Sequence, residues 1–287
     1  MRLAVLALLT LTMASPAGQD RPLPDFDAFA VRVKNRLATD EDRQSGYMFI
    51  ERRTEERLDA SGRAQVESVK VFEVYPGLPG EDRYRRLIEE DGKPVPPDTL
   101  ARQDRERRQK VEAYAKRSAS DADRRQDSQR LERQRERYRA AVDDLFRIYN
   151  MHMVGRESLE GHDTIALSLT PRPTAKPRTY QGRQLQKFAL RAWINESDHE
   201  LVRLDAEAID TLSMGFGVLA RLHKGSQLSF LRRRVNDEVW LPAAVHFSGG
   251  ARVALVRTLR RSSTSEFSDY RKFSVDTATT YQAPKAQ

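Results

Sequence analysis

Between Leu185 and Phe247 the chain repeats with a period of two, and that period limits what it can fold into. In Leu185-Gln-Lys-Phe-Ala-Leu-Arg-Ala-Trp-Ile194, the side chains of Phe188, Leu190, Ala192 and Ile194 share one face, as in a half-buried strand. Glu200 to Ala208 answers it, with Val202, Leu204, Ala206 and Ala208 on one side and Arg203, Asp205 and Glu207 on the other. The polar, turn-forming Asn195-Glu-Ser-Asp-His199 joins the two runs as a hairpin. A sheet that is apolar on one face and wet on the other needs something to cover the apolar one.

The same signals recur along the chain. Tyr47 to Leu58 and Gln65 to Tyr75 flank the turn Asp59-Ala-Ser-Gly62, and Asp82 to Glu90 follows Pro76-Gly-Leu-Pro-Gly80. The charged runs Glu51-Arg-Arg-Thr-Glu-Glu-Arg57 and Arg83-Tyr-Arg-Arg86 read as solvent-facing sheet margins. Further strands are expected at Phe146 to Arg156, Asp163 to Thr170, Gly215 to His223, Gln227 to Val235, Val239 to Phe247, Arg252 to Arg260 and Ser265 to Phe273. Lys224-Gly225, Asn236-Asp237 and Gly249-Gly250 serve as turns among them, and Pro171 to Pro177 is an extended loop. About ten or eleven strands without β-α-β alternation predict a mainly β fold, a continuous antiparallel sheet curling toward a barrel.

Two helical stretches interrupt the strands. From Asp25 to Leu37, with Asp25 as cap, Phe26, Phe29, Val33 and Leu37 form a stripe that suits packing on the sheet. After Pro94-Val-Pro-Pro97, the composition from Leu100 to about Tyr149 is Arg, Gln, Glu, Asp and Ala with no Gly or Pro, which favours helix. A break with a fresh cap is expected at Ser118-Ala-Ser-Asp121, and Tyr138, Ala141, Val142 and Leu145 restore an apolar stripe. Sustained apolar heptads are missing, so the segment is a helical insertion and not a coiled coil.

Arg2, the apolar run Leu3 to Met13 and the small residues Ser15-Pro-Ala17 have the form of a secretory signal, too short to span a bilayer comfortably. The expected organisation is a signal peptide over 1–17, a linker over 18–24, one domain over 25–275 with 98–149 as a charged helical insertion, and a loose tail over 276–287. An exported location follows. The absence of cysteine leaves no disulfide framework and no thiolate metal site. Of the formal net charge of +8, much is local: Arg102 to Arg139 holds 14 Lys and Arg against 8 Asp and Glu. An exported protein meets no cytosolic nucleic acid, so an anionic membrane surface or an acidic envelope protein is the electrostatic partner to expect.

No constellation supports catalysis. Gly215-Phe-Gly-Val-Leu-Ala220 matches a dinucleotide-binding spacing but lacks the strand-to-helix context that gives it meaning, so no cofactor is expected. His152, His162, His199, His223 and His246 are dispersed without ligand spacing, so no metal is expected either. There is no G-x-S-x-G elbow, and carboxylate pairs such as Glu89-Glu90 and Asp143-Asp144 read as solvated faces. Trp193 and Trp240 read as core anchors.

The order of Met153-Val-Gly-Arg-Glu-Ser-Leu-Glu-Gly161, Leu169-Thr-Pro-Arg-Pro173, Ala192-Trp-Ile-Asn195, His199-Glu-Leu-Val-Arg-Leu204 and Glu238-Val-Trp-Leu-Pro242 resembles the LolA/LolB-like superfamily. That superfamily contains periplasmic lipoprotein-sorting proteins and the envelope-stress sensor RseB. The resemblance covers Phe146 to Phe273 best and extends to the N-terminal helix and strands, and the sequence departs from the simple carriers in its basic insertion and in Asn195. It implies a strongly curved, incompletely closed antiparallel barrel whose apolar face is lidded by helices and takes up acyl chains, each buried methylene contributing about 0.8 kcal/mol. The strand positions expected to contact an acyl chain are Phe72, Val74, Leu167, Leu169, Leu190, Ile194, Leu204, Phe230 and Leu241. Two alternatives stay open: the apolar face is a filled core, or it is a trough for a ligand. The arginines of the insertion, chiefly Arg124, Arg125, Arg130, Arg133 and Arg137, are either a solvated face or a contact for anionic headgroups or an acidic partner. On the trough reading the protein carries or senses a lipid or lipoprotein acyl chain; on the other it is a non-enzymatic envelope interaction module.

Overall fold

A computed structural model describes residues 21–273, apart from 60, 80, 215–219 and 254–256. The expected signal peptide and the tail over 276–287 lie outside the described residues. Thirteen strands form one antiparallel sheet, eleven of them on a continuous path. The first group is β1 (Tyr47–Leu58), β2 (Ala64–Tyr75), β3 (Tyr84–Glu90) and the short β4 (Lys93–Pro94). The second begins with β5 (Tyr149–Leu159), β6 (His162–Pro171), β7 (Phe188–Asn195) and β8 (Leu201–Ala208), followed by the short β9 (Leu212–Met214) and β10 (Ala220–Leu222). It ends with β11 (Gln227–Val235), β12 (Val239–Val253) and β13 (Arg257–Lys272).

Each group is a meander, and β13 pairs with β1 to join them, giving the order β4-β3-β2-β1-β13-β12-β11-β8-β7-β6-β5. The ends of this path do not pair with each other, so the barrel stays open, as expected. The ribbon also bends: His162 on β6 and Trp240 on β12 have three strands between them, yet their rings meet at 4.8 Å. A flat sheet would hold those strands about 19 Å apart.

Helix α1 (Phe26–Ala38) starts where Asp25 accepts a hydrogen bond from the Ala28 amide at 2.9 Å. It lays Phe29 and Val33 on the sheet, and the short α2 (Asp40–Gln44) follows. The insertion forms α3 (Pro97–Arg117) and α4 (Asp121–Ile148), broken at the expected place, with Ser120 capping α4 through the Ala122 amide. The two strands that flank this helical hairpin, β4 and β5, are the two free ends of the sheet.

Three local expectations need correction. Phe146 to Ile148 belong to α4, because Ile148 is buried in the core cluster and Leu145 and Phe146 pack against it. Residues after the Pro171–Pro177 loop form the short helix α5 (Tyr180–Leu185), so the next strand starts only at Phe188. Gly249-Gly250 is no turn: both lie inside β12, paired with Arg261 and Arg260, and β13 is one strand where two were expected. A Cβ on Gly249 would fall 2.4 Å from Ser226 Oγ, so close backbone approach, not chain reversal, explains the glycine.

Candidate functional site

The period-two residues of β6 and β7 align across the sheet: Leu167 faces Ala192, Leu169 faces Leu190, and Ile165 faces Ile194. With Phe29 and Val33 of α1 and Ile148 at the end of α4 they form the largest buried cluster. Four of the expected acyl-chain positions, Leu167, Leu169, Leu190 and Ile194, are therefore buried in one cluster with helix residues. Val74 is buried on β2, and Leu241 belongs to a separate small cluster with Tyr47 and Val239.

Beyond that filled half, the same face continues half-buried. One row of directly opposed residues runs Leu204, Phe230, Val245, Ser265, Arg53 across β8, β11, β12, β13 and β1. The next runs Ala206, Leu228, Phe247, Ser263, Glu55. Leu204, Leu228, Phe230, Val245 and Phe247 each keep part of their surface exposed. Opposed residues point to the same side of a sheet, so an apolar strip on β8, β11 and β12 gives way, across the serines of β13, to charge on β1.

That charged wall centres on Glu51, which is 0% exposed. Its Oε1 accepts hydrogen bonds from Arg53 at 2.7 and 3.1 Å and from Ser265 Oγ at 2.9 Å, and Arg85 Nη2 stands 3.0 Å from its Oε2. Glu51 is opposed by Phe72 on β2 and Phe267 on β13, so the carboxylate sits between aromatic neighbours. Phe72, another expected contact, thus lies beside the charged wall and not within the apolar strip.

A second polar knot ties the helices down. Arg232, 1% exposed, donates to Asp40 Oδ1 of α2 at 2.8 Å and to the Trp240 carbonyl at 2.5 Å. Arg43 of α2 pairs with the buried Glu200 at the start of β8. Near the start of α1, the Phe29 ring lies 5.3 Å from the ring of His199, whose positive φ of 62° closes the β7–β8 turn. Burial, then the charge of Arg32, holds the His199 imidazole below its ordinary pKa against the opposing pull of Asp198.

The arginines expected to meet anions lie on α4 and are exposed. Arg124 pairs with Asp121 and donates to the carbonyls of Ser118 and Ala119 at 3.1 and 2.9 Å, which closes the end of α3. Arg130 lies 3.6 Å from Asp127, and Arg137 donates to the Arg133 carbonyl at 3.1 Å. Arg124 and Arg125 line a shallow depression with Asp121, Ser128 and Gln129.

Glu51, Arg53, Arg85 and Arg232 were not singled out by their sequence context, since charged runs read as solvent-facing. The signal was there in the alternation: Phe49, Glu51, Arg53 and Glu55 take every second position of β1, in phase with an aromatic. Among the described residues no group of three or more His, Asp or Glu is placed to hold a metal ion, and no helix is long and apolar enough to cross a membrane.

No protein-family model matches the chain, and no curated protein matches it. Solved structures do. The chain is similar to a domain described as an outer membrane lipoprotein-sorting protein from Vibrio parahaemolyticus, at 12% identity over 88% of this chain and 97% of that one, with a TM-score of 0.36. It is similar to a LolA superfamily protein from Nitrosomonas europaea, at 10% identity over 86% and 94%, TM-score 0.29. It is also similar to a chain of the MucA/MucB complex of Pseudomonas aeruginosa, at 10% identity over 86% and 99%, TM-score 0.25.

Proposed function

We propose that this chain binds the acyl part of a lipid or lipoprotein and acts in the periplasm as a carrier or sensor, without catalysis of its own. The observation that carries the reading is the half-buried strip of Leu204, Leu228, Phe230, Val245 and Phe247, on the face that helices cover elsewhere and bounded by a charged wall. Partly exposed aliphatic and aromatic side chains in contiguous rows gain free energy when a hydrocarbon chain displaces water from them, at about 25 cal/mol per Å². Leu204 and Phe230 would touch the chain directly. Leu167, Leu169, Leu190 and Ile194 would reach it only where α1 moves aside, because α1 already covers them.

In this reading residues 1–17 direct export, 25–275 form one domain, and 98–149 are an insertion within it. The exposed arginines of α4 favour a second role for the insertion, contact with an anionic membrane surface or an acidic envelope protein. Native mass spectrometry of the purified protein, with organic extraction of what it carries, tests the main reading. A co-purifying acylated molecule that is lost in Phe230→Glu supports it; a protein that takes up no acyl probe, before or after delipidation, refutes it.

A further inference from the structure

The charged wall beside the strip has a composition of its own. Glu51 lies between two guanidiniums, Arg53 and Arg85, and further along the same wall Glu67 lies between Arg57 at 3.5 Å and Arg261 at 3.2 Å. Each trio carries one cation more than it has carboxylates. Glu55, between them on β1 and hydrogen-bonded to Ser263 at 3.1 Å, offsets one of the two surplus charges. The other is left beside an apolar surface, where a charge is less screened than in open water.

Geometry places that surplus where a ligand would feel it. Arg53 and Val245 share a row with only Ser265 between them, two strand spacings or about 10 Å apart. Arg53 commits its Nε and Nη2 to Glu51, and Arg85 commits its Nη2. The donors that remain belong to side chains 31% and 45% exposed, so solvent reaches them beside the apolar strip. A guanidinium fork matches the oxygens of a phosphate, and charge-assisted bonds of this kind are about twice as strong as neutral ones.

We propose that Arg53 and Arg85, held in place by the buried Glu51, form a subsite for the phosphate headgroup of a lipid whose hydrocarbon chain lies on the Leu204–Phe230–Val245 strip. The inference rests on the acyl-binding reading and adds the class of ligand: an anionic, phosphate-bearing amphiphile and not a neutral one. Arg53 lies in the same row of the sheet as the strip, and Arg85, opposed to Val74, lies two rows away on the same face, so hydrocarbon is read on β8 to β12 and phosphate on β1 and β3.

Calorimetric titration of the delipidated full chain with dodecyl phosphate and with dodecyl maltoside, each below its micellar concentration, separates the two claims. Wild type is expected to prefer dodecyl phosphate by on the order of tenfold, the effect of one or two charge-assisted bonds. R53Q/R85Q is expected to lose that preference while its affinity for the maltoside stays unchanged. R85Q alone, which leaves Glu51 held by Arg53 and Ser265, is expected to lose part of it and serves if the double variant does not fold. Equal affinity for both amphiphiles in wild type, or a preference that survives in R85Q and R53Q/R85Q, overturns the phosphate subsite and leaves acyl binding standing. Failure of both amphiphiles to bind overturns acyl binding as well. Inorganic phosphate binding as tightly as dodecyl phosphate would show that no lipid chain is read.

Discussion

Glu51 and its arginines are unequal partners, and the inequality is measurable. The carboxylate has no exposed surface, whereas Arg53 and Arg85 reach water along part of their length. Removing Glu51 leaves two cations that can resolvate, so Glu51→Ala is expected to cost about 1–2 kcal/mol, below the usual cost of breaking a fully buried pair. Removing both arginines strands a buried carboxylate, and R53A/R85A is expected to cost about 3–5 kcal/mol. Urea unfolding of the two variants checks the order, and a larger loss in Glu51→Ala would contradict it. Asp144 shows the other way to hold a buried carboxylate. Although burial pushes its pKa up, the amides of Arg178 and Thr179 and the Thr179 hydroxyl, at 2.7–3.0 Å, hold it below the ordinary carboxylate value. A depressed folded-state pKa means stability that is present above the unfolded-state pKa near 3.8 and lost as pH falls through the folded one. Asp144→Asn should therefore be less stable than wild type at pH 6, and the gap should close toward pH 2 in chemical-denaturation curves. The same contact explains Gly182, where a Cβ would sit 2.4 Å from Asp144 Oδ2.

At the scale of elements, α1 is the part of the cover whose docking depends on a titratable group. Phe29 packs on both the core and His199, and Arg32 and Arg36 lie close enough to disfavour a proton on that ring, while Asp198 favours one. Because the folded-state pKa is depressed, the unfolded chain takes up the proton first, and stability falls as pH drops from about 6.5 toward the lower folded value. Hydrogen exchange of the α1 amides should therefore speed up between pH 7.5 and 5.5, after correction for intrinsic rates, and His199→Gln should flatten the change; equal protection at both pH values would refute it. The sequence made α1 readable because its cap and its apolar stripe coincide over Phe26 to Leu37. It hid the end of α4, where the β-branched Ile148 and aromatic Phe146 look strand-like in isolation and only packing on α1 decides for helix. Gly249-Gly250 misled for a related reason, since local sequence cannot register the approach of Ser226 from the turn before β11.

For the whole molecule, the decisive feature is that the sheet is left open at the two strands the insertion connects. On one side the edge of β3 is not bare: the Gln103 side chain of α3 accepts from the Leu87 amide at 3.0 Å and donates to its carbonyl at 3.1 Å, taking the place of a neighbouring strand. Arg86 of β3 bonds Asp104 of α3 at 2.8 and 3.1 Å while also donating to Glu73 at 2.9 Å, which fixes that helix against the sheet. The curling antiparallel sheet was legible from strand number and turn spacing, but the charged wall was not. Its placement depends on β13 pairing with β1 across more than 200 residues, and no local pattern reports a partner that distant. The insertion's base and its tip should then differ in importance. Most residues from Lys110 to Gln129 are exposed, apart from Asp127, which lies against Ser118 at 3.4 Å. Replacing this span with a Gly/Ser linker of about eight residues should leave the β circular-dichroism signal intact and shift the melting temperature by only a few degrees. Gln103→Ala combined with Asp104→Ala removes the cover of β3 and leaves the buried Arg86 without one of its two carboxylates, so it should cost about 3 kcal/mol and raise self-association in sedimentation runs. If the tip deletion unfolds the sheet, or the paired alanine variant stays as stable and monomeric as wild type, then the base of the hairpin does not guard the open edge.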